Sequence, residues 1–374
     1  MYLRFSDNDT VTRQAQELVT STWSDNTNDL TVAYTSSTQA DFTTATSSGH
    51  FYIDVYDKPY ETYAGGGYTA DTTTEVQYSV AFGHRAGSGS PDFTNDTGSF
   101  GLSSTRTTYN QYRQLHYNDD TQYFTFGTHT PDSIFVININ RARYKQKLTL
   151  GTLNLHISGN SSDLTTAQQN LIHLTDDSVT NTTAAGTSVS LGPYWNVVSG
   201  SSGTVLSGTT ATTQLKDSAS YGNFYPEAGL IILNAEAFGG ALNTNHILNS
   251  GLPTNTDRMH QKMVRHISNY GNFVGGPAFS QFTGSFIVDS TEEINSEFYF
   301  CRARNDQFNY TNNESFVDTS KNIRFETMKL NPKVFITTVG LYNDAFELLA
   351  VAKLSQPVAK DFTKEALIRV KLDY

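Results

Sequence analysis

The sequence predicts a mainly β protein, with antiparallel, sandwich-like subdomains, long loops and two or three short helices. Three observations predict it. Short runs of residues alternate apolar and polar side chains, the period of a half-buried strand. Aromatics make up 12% of the chain, as 21 Tyr, 23 Phe and 2 Trp, and they join an abundance of Thr that suits pleated surfaces. Clusters of Gly, Ser, Asn and Asp punctuate these runs, as turns require.

The elements follow in order. From Thr10 to Thr22, Val11, Ala15, Leu18 and Val19 recur at near-helical spacing behind Asp7-Asn8-Asp9, which predicts a helix with a cap. Phe51 to Tyr56 reads as a strand stopped by Asp57-Lys58-Pro59, and Glu75 to Phe82 as another. Gly65-Gly66-Gly67 and the stretch from Gly83 to Pro91 read as loops. Tyr109, Tyr112 and Leu115 predict a short helix over Thr105 to His116. Tyr123 to Phe126, Ser133 to Ile139 and Leu148 to Ile157 are strand candidates. The Ser/Thr/Asn/Gly-dense stretch from Ser158 to Ser220 reads as short strands with long turns, since a bare linker would not carry Tyr194 and Trp195.

Gly229-Leu230-Ile231-Ile232-Leu233 is continuously apolar and predicts a buried strand. Asp257 to Tyr270 is the clearest helix: Met259, Met263, Val264, Ile267 and Tyr270 make one stripe, with Thr256 or Asp257 to cap it and Gly271 to close it. Glu297 to Arg304 alternates. Val334 to Leu341 and Glu347 to Leu354 flank Tyr342-Asn343-Asp344-Ala345-Phe346 as a β-hairpin. Ile368, Val370 and Leu372 alternate with Arg369 and Lys371, a half-exposed last strand. These elements suggest a mixed, β-rich domain over 1–157, a Ser/Thr/Gly-rich subdomain or insertion over 158–222, and a C-terminal β domain over 223–374 holding the 257–270 helix, the hairpin and the last strand. No repeat of fixed period suggests a solenoid or propeller.

Composition excludes several classes. With 36 acidic and 25 basic side chains the net charge is −11, opposed to a duplex-DNA binder, whose affinity comes from Lys and Arg. No apolar run approaches the length of a membrane-spanning helix. The start, Met1-Tyr2-Leu3-Arg4-Phe5-Ser6-Asp7, turns polar at once and predicts no signal peptide. The one cysteine, Cys301, forms no internal disulfide and, in an alternating strand, reads as a small packed side chain.

Motifs for chemistry are absent. His260 and His266 stand six apart on the predicted helix, about 240° around its axis, so they do not share a metal ion. The clusters Asp7-Asn8-Asp9, Asp25 to Asp29 and Asn118-Asp119-Asp120 lack the calcium-loop spacing and read as turn formers. The loop after Gly83 lacks the Lys and Ser/Thr of a phosphate-binding loop. Arg141-Ala142-Arg143-Tyr144-Lys145-Gln146-Lys147 puts its four charges on odd positions, one face if extended, which reads as a solvated strand face or as pairing with carboxylates of a neighbouring subunit, with a phosphate or acidic-partner contact as the alternative. Six N-x-[ST] sequons, Asn95, Asn160 and Asn309 among them, follow from abundant Asn and Thr. No catalytic, cofactor-binding or metal-ligating residue is expected.

The stretch Ile336-Thr337-Thr338-Val339-Gly340-Leu341-Tyr342-Asn343-Asp344, followed by Glu347-Leu348-Leu349-Ala350-Val351-Ala352-Lys353-Leu354, resembles a hairpin of phage tail and tail-fibre-attachment proteins. Val80-Ala81-Phe82-Gly83-His84, Tyr109-Asn110-Gln111-Tyr112-Arg113, Ile137 to Lys145, Tyr225-Pro226-Glu227-Ala228-Gly229, Phe298 to Asn305 and Glu365 to Tyr374 widen the likeness. Together they resemble a virion structural protein of contractile-tailed phages such as those of cyanobacteria, over the chain from about residue 75 onward.

The resemblance implies a non-enzymatic subunit made in the bacterial host cytoplasm and built into the virion. Its place there would be the tail baseplate or a fibre-attachment point. Its partners would be other phage structural proteins and copies of itself, with no nucleic acid, membrane or cofactor. The alternatives it leaves are a neck or capsid-associated virion protein, or a tail protein that recognises or cleaves a glycan. A glycan-cleaving pair of carboxylates need not be near in sequence.

Overall fold

The computed structural model of the chain describes residues 3–5, 9–23, 29–30, 34–35, 52–57, 61–64, 67–70, 73, 75–90, 103–157, 172–206, 220–238, 259–267, 284–309 and 313–374. The protein is mainly β and its described strand registers are antiparallel. In chain order come β1 (Thr10–Ser21), β2 (Asp29–Leu30), β3 (Tyr34–Thr35), β4 (Tyr52–Tyr56), β5 (Glu61–Ala64), β6 (Gly67–Ala70) and β7 (Val76–His84). Helix α1 (Ser104–Tyr117) precedes β8 (Ser133–Ile139), β9 (Lys147–Leu148), β10 (Asn154–Ile157), β11 (Ile172–Asp176), β12 (Gly186–Ser188), β13 (Gly192–Ser201) and β14 (Thr204–Val205). Then follow β15 (Gly222–Tyr225), β16 (Leu230–Asn234), helix α2 (Met259–Ile267), β17 (Ser285–Ile287), β18 (Asp289–Ala303), the single turn α3 (Thr327–Leu330), β19 (Val334–Tyr342), β20 (Leu348–Lys360) and β21 (Ala366–Asp373).

Contacts divide the chain into two compact units, Val19–Glu292 and Met1–Leu18 with Glu293–Tyr374. In the first, eleven strands share one hydrogen-bonded order, β2-β17-β10-β11-β13-β15-β16-β8-β7-β4-β3, while β12 and β14 pair with β13. Its middle is covered on both faces, which explains the unbroken apolar run of β16, buried along its whole length. On one face, α1 lays Tyr109 against Ala81, Ile134, Val136 and Ile232, and the loop after α1 adds Phe124 and Phe126. Gly83 makes that approach possible, because a Cβ there would lie 2.9 Å from the Tyr109 backbone nitrogen. The other face is the inside of a curl. Six strands stand between β7 and β17 in the hydrogen-bonded order, yet the Tyr78 and Phe286 rings meet edge-on at 5.2 Å. Trp23 fills the corner, 5.9 Å from the Tyr78 ring and 5.0 Å from that of Phe286. Helix α2 packs against β4, β7 and β10 through Met259, Met263, Val264 and Ile267, all buried in the same core.

The other unit holds the sheet β1-β18-β21 and a separate two-stranded ribbon, β19-β20. Eight residue pairs from Ser296↔Asp373 to Ala303↔Ala366 fix the β18–β21 register. Arg369 lies over the Phe298 ring at 5.2 Å, and Arg302 pairs with Glu365 at 2.7 Å. The Lys360 ammonium is fully buried at the end of β20. It donates to the Asn305 carbonyl at 3.2 Å, to Asn309 Oδ1 at 2.7 Å and to the Gln307 carbonyl, satisfying all three of its protons.

Several sequence expectations are corrected. Residues 10–21 form the strand β1 and not a helix. The segment is rich in β-branched Thr and Val, it hydrogen-bonds to β18, and Leu18 and Val19 of the expected apolar stripe are exposed. Tyr123 to Phe126 makes no strand beyond one bridge, Phe126 to His129; it is a loop whose two Phe rings fill the α1 face. A turn at Gly151, with φ +77°, splits 148–157 into β9 and β10. The caps expected at Thr256, Asp257 and Gly271 of α2, its Tyr270, Phe51, the Gly65-Gly66 turn, and 158–171 and 207–219 lie outside the described residues.

Candidate functional site

The C-terminal ribbon is the most open apolar feature of the described chain. Its registers run from Val334↔Lys360 to Tyr342↔Leu348, with a wide bulge where Ile336 pairs with Val358 and Thr338 already with Lys353. Asn343 closes the turn: its Oδ1 accepts the Glu347 N–H at 2.8 Å and its amide donates to the Glu347 carboxylate at 2.7 Å. Both faces carry exposed apolar side chains, among them Phe335 at 59%, Phe346 at 61%, Leu349 at 67% and Val351 at 56%. Two-stranded ribbons are marginal alone in water, and a cluster of this kind marks a contact surface.

Charge separates the two units in the same sense. Residues 1–18 and 293–374 carry 13 basic and 14 acidic side chains, whereas residues 19–292 carry 12 and 22. Nearly all of the net charge therefore belongs to the curled-sheet unit, and the ribbon-bearing unit is close to neutral.

Elsewhere the polar groups serve the fold. Arg141 and Arg143 do not extend along one face, because the Asn140 side chain accepts the Ala142 N–H at 3.0 Å and starts a 3-10 turn. Arg143 then pairs with Glu75 of the same chain at 2.5 Å, and Arg141 donates to the Tyr144 carbonyl at 2.6 Å. Asp119 accepts from the Thr121 N–H and hydroxyl at 2.7 Å each, a turn as expected; Asp7, Asn8 and residues 25–28 lie outside the described residues. His266 and the partly buried Cys301 sit where packing explains them. Asn95 and Asn160 lie outside the described residues, while the Asn309 amide donates to the Asn305 carbonyl at 2.6 Å.

Three polar clusters escaped the sequence reading. His116 Nδ1 meets the Tyr225 hydroxyl at 2.9 Å amid Tyr117, Phe124 and Tyr194, and burial lowers its pKa to about 4. His156 and His173 stack across β10 and β11 with ring centroids 4.0 Å apart; burial, then the neighbouring His173, lowers His156 to about 4. Asp177 borders an open cavity of about 260 Å³. Its Oδ1 already accepts the Asn196 N–H at 3.0 Å, and its Oδ2 the amides of Asn181 at 2.8 Å and Asn196 at 3.0 Å. Among the described residues no group of three or more His, Cys, Asp or Glu is placed to hold a metal ion, and no helix is long and apolar enough to cross a membrane. The signal that finds all three in advance is long-range pairing, which single-sequence periodicity does not carry.

No protein family, no curated protein and no solved structure matches the chain.

Proposed function

We propose that the chain is a non-enzymatic structural subunit of a contractile-tailed phage virion, placed in the tail baseplate or at a fibre-attachment point and working through protein–protein interfaces. The observation that carries the reading is the ribbon. The near-neutral unit carries an apolar two-stranded ribbon of a kind that is marginal alone in water, and the other unit carries the net charge and has its own core. The hairpin that makes the ribbon is also the segment whose sequence resembles phage tail proteins. Its partners in this reading are other virion proteins and copies of itself, and neither nucleic acid, membrane nor cofactor is needed. A neck or capsid-associated position is the nearest alternative, and a glycan-recognising or glycan-cleaving tail protein a more distant one.

The test is cryo-electron microscopy of purified particles with the chain fitted to density. Density for both units at the baseplate or a fibre junction supports the placement. Density at the neck or capsid refutes it, and absence of the chain from the particle refutes the structural reading as a whole.

A further inference from the structure

Sheet edges are the part of a β protein most open to another chain, and this protein treats its edges unequally. The eleven-strand order ends on β2 and β3, each two residues long among the described residues. In the other unit, β1 carries Arg13 and Glu17, and β21 carries Arg369, Lys371 and Asp373. Strand β20 has Lys353, Pro357 and Lys360, and bulges as well. Short strands, charges, proline and bulges are the devices that keep an edge from pairing. Strand β19, Val334-Phe335-Ile336-Thr337-Thr338-Val339-Gly340-Leu341-Tyr342, has none of them. It is nine residues long, uncharged and rich in β-branched side chains, and among the described strands β20 alone pairs with it. At about 3.4 Å per residue it presents an edge of roughly 30 Å.

We propose that β19 pairs antiparallel with β19 of a second copy of this chain, about a two-fold axis at Thr338, joining two ribbons into one four-stranded sheet. The inference rests on the structural-subunit reading only in taking assembly as the ribbon's task. Two observations favour a second copy over another partner. First, the edge has no charge for an acidic or basic partner to complement, while the near-neutral unit that bears it lets two copies of an otherwise acidic chain approach. Second, the strand is self-complementary in this register. Val334 faces Tyr342, Phe335 faces Leu341, and branched Ile336 faces Gly340, so bulk meets apolar bulk or empty space on both faces. The two apolar faces of each ribbon then continue across the junction, and apolar side chains of the two ribbons lie side by side.

Sedimentation equilibrium of the full chain tests the association, and cysteine cross-linking tests the register. The wild type is expected to be a reversible dimer. Thr337→Asp, an exposed position with no cross-strand partner in the ribbon, is expected to weaken it about tenfold or more by placing a charge against Val339 of the other copy. Ser355→Asp on the guarded β20 edge is expected to leave it unchanged. In a Cys301→Ser background, Thr338→Cys is expected to form a covalent dimer on mild oxidation, since residues on the axis are about 5 Å apart at Cα. Thr337→Cys is expected not to, because its two copies are diagonal neighbours about 7–8 Å apart, beyond disulfide reach. A monomeric wild type, equal cross-linking at 337 and 338, or a dimer indifferent to Thr337→Asp overturns the pairing. Because these readouts need no particle, their failure is distinct from failure of the virion placement.

Discussion

Trp23 is the residue on which closure of the curled sheet is most exposed to test. It is 3% exposed, packs against both the Tyr78 and Phe286 rings, and its Nε1 donates to the Phe286 carbonyl at 3.0 Å. Burying a Trp side chain removes about 200 Å² from water, worth about 5 kcal/mol at 25 cal/mol per Å². Truncation leaves a cavity that surrounding rings fill only in part, and such changes cost about 3–5 kcal/mol. Trp23→Ala is therefore expected to lower unfolding free energy by about 4 kcal/mol. Trp23→Phe keeps an aromatic face but strands the carbonyl, for a smaller loss of about 1–2 kcal/mol. The assay is urea unfolding followed by far-UV circular dichroism, with fluorescence of the other tryptophan, Trp195, as a second probe. A loss below about 1 kcal/mol for Trp23→Ala would show that the corner does not hold the curl shut, because an unfilled aromatic site of this depth cannot be that cheap.

Acid should destabilise the protein before most of its carboxylates titrate. His116 and His156 have folded pKa values near 4, set by burial, against 6.5 unfolded. The unfolded chain thus binds protons first, and the stability they supply is full above about pH 6.5 and is lost as pH falls toward 4. Allowing for solvent screening, that is about 1–2 kcal/mol per histidine, partly offset by Asp176, whose carboxyl burial raises. Urea midpoints at pH 7 and 4.5 measure it, and His156→Gln should flatten the dependence; an unchanged slope would refute the assignment. Gly83→Leu should push α1 off β7 and cost about 1–3 kcal/mol by overpacking, read from the thermal midpoint against Gly83→Ala, which should cost less. Lys360→Met should strip the 305–309 carbonyls of their donor, and limited proteolysis should then cleave that loop faster without altering the curled-sheet unit.

Much of the secondary structure was legible because burial leaves a local imprint. The run Leu230 to Leu233 is apolar throughout since both faces of β16 are covered, and α2 shows its stripe since Met259, Met263, Val264 and Ile267 meet the core. The hairpin was legible as two strand-like runs flanking the short segment Tyr342 to Phe346. What failed was wherever a distant partner decides the outcome. Residues 10–21 match a helical spacing, yet pairing with β18, nearly three hundred residues on, makes them a strand. The basic run at 141–147 looks like one charged face until the Asn140 side chain coils its start. The Tyr78–Phe286 contact that closes the curl joins residues whose separation no periodicity spans. The proposed site was half legible. The alternation showed a hairpin, but not that its strands would stay uncovered.

Exposure of the ribbon gains its meaning from how the rest of the chain is built. A mainly β protein with careless edges would aggregate through all of them, so unequal guarding is informative where uniform guarding is not. Here the long, charge-free edge belongs to the unit with almost no net charge, while the other unit carries nearly all of it. Repulsion between acidic curled-sheet units opposes random collision, whereas the proposed β19 pairing would be one defined, directional way to associate. If β19 pairs only when a second copy or a particle neighbour is present, its backbone amides should exchange with solvent quickly in dilute protein and slowly at concentrations where the dimer forms. Amides of β8 and β16, buried in the middle of the curled sheet, should be protected alike in both. Equal and slow exchange of β19 at every concentration would mean that the ribbon is stable alone, which would remove the physical reason to seek its partner.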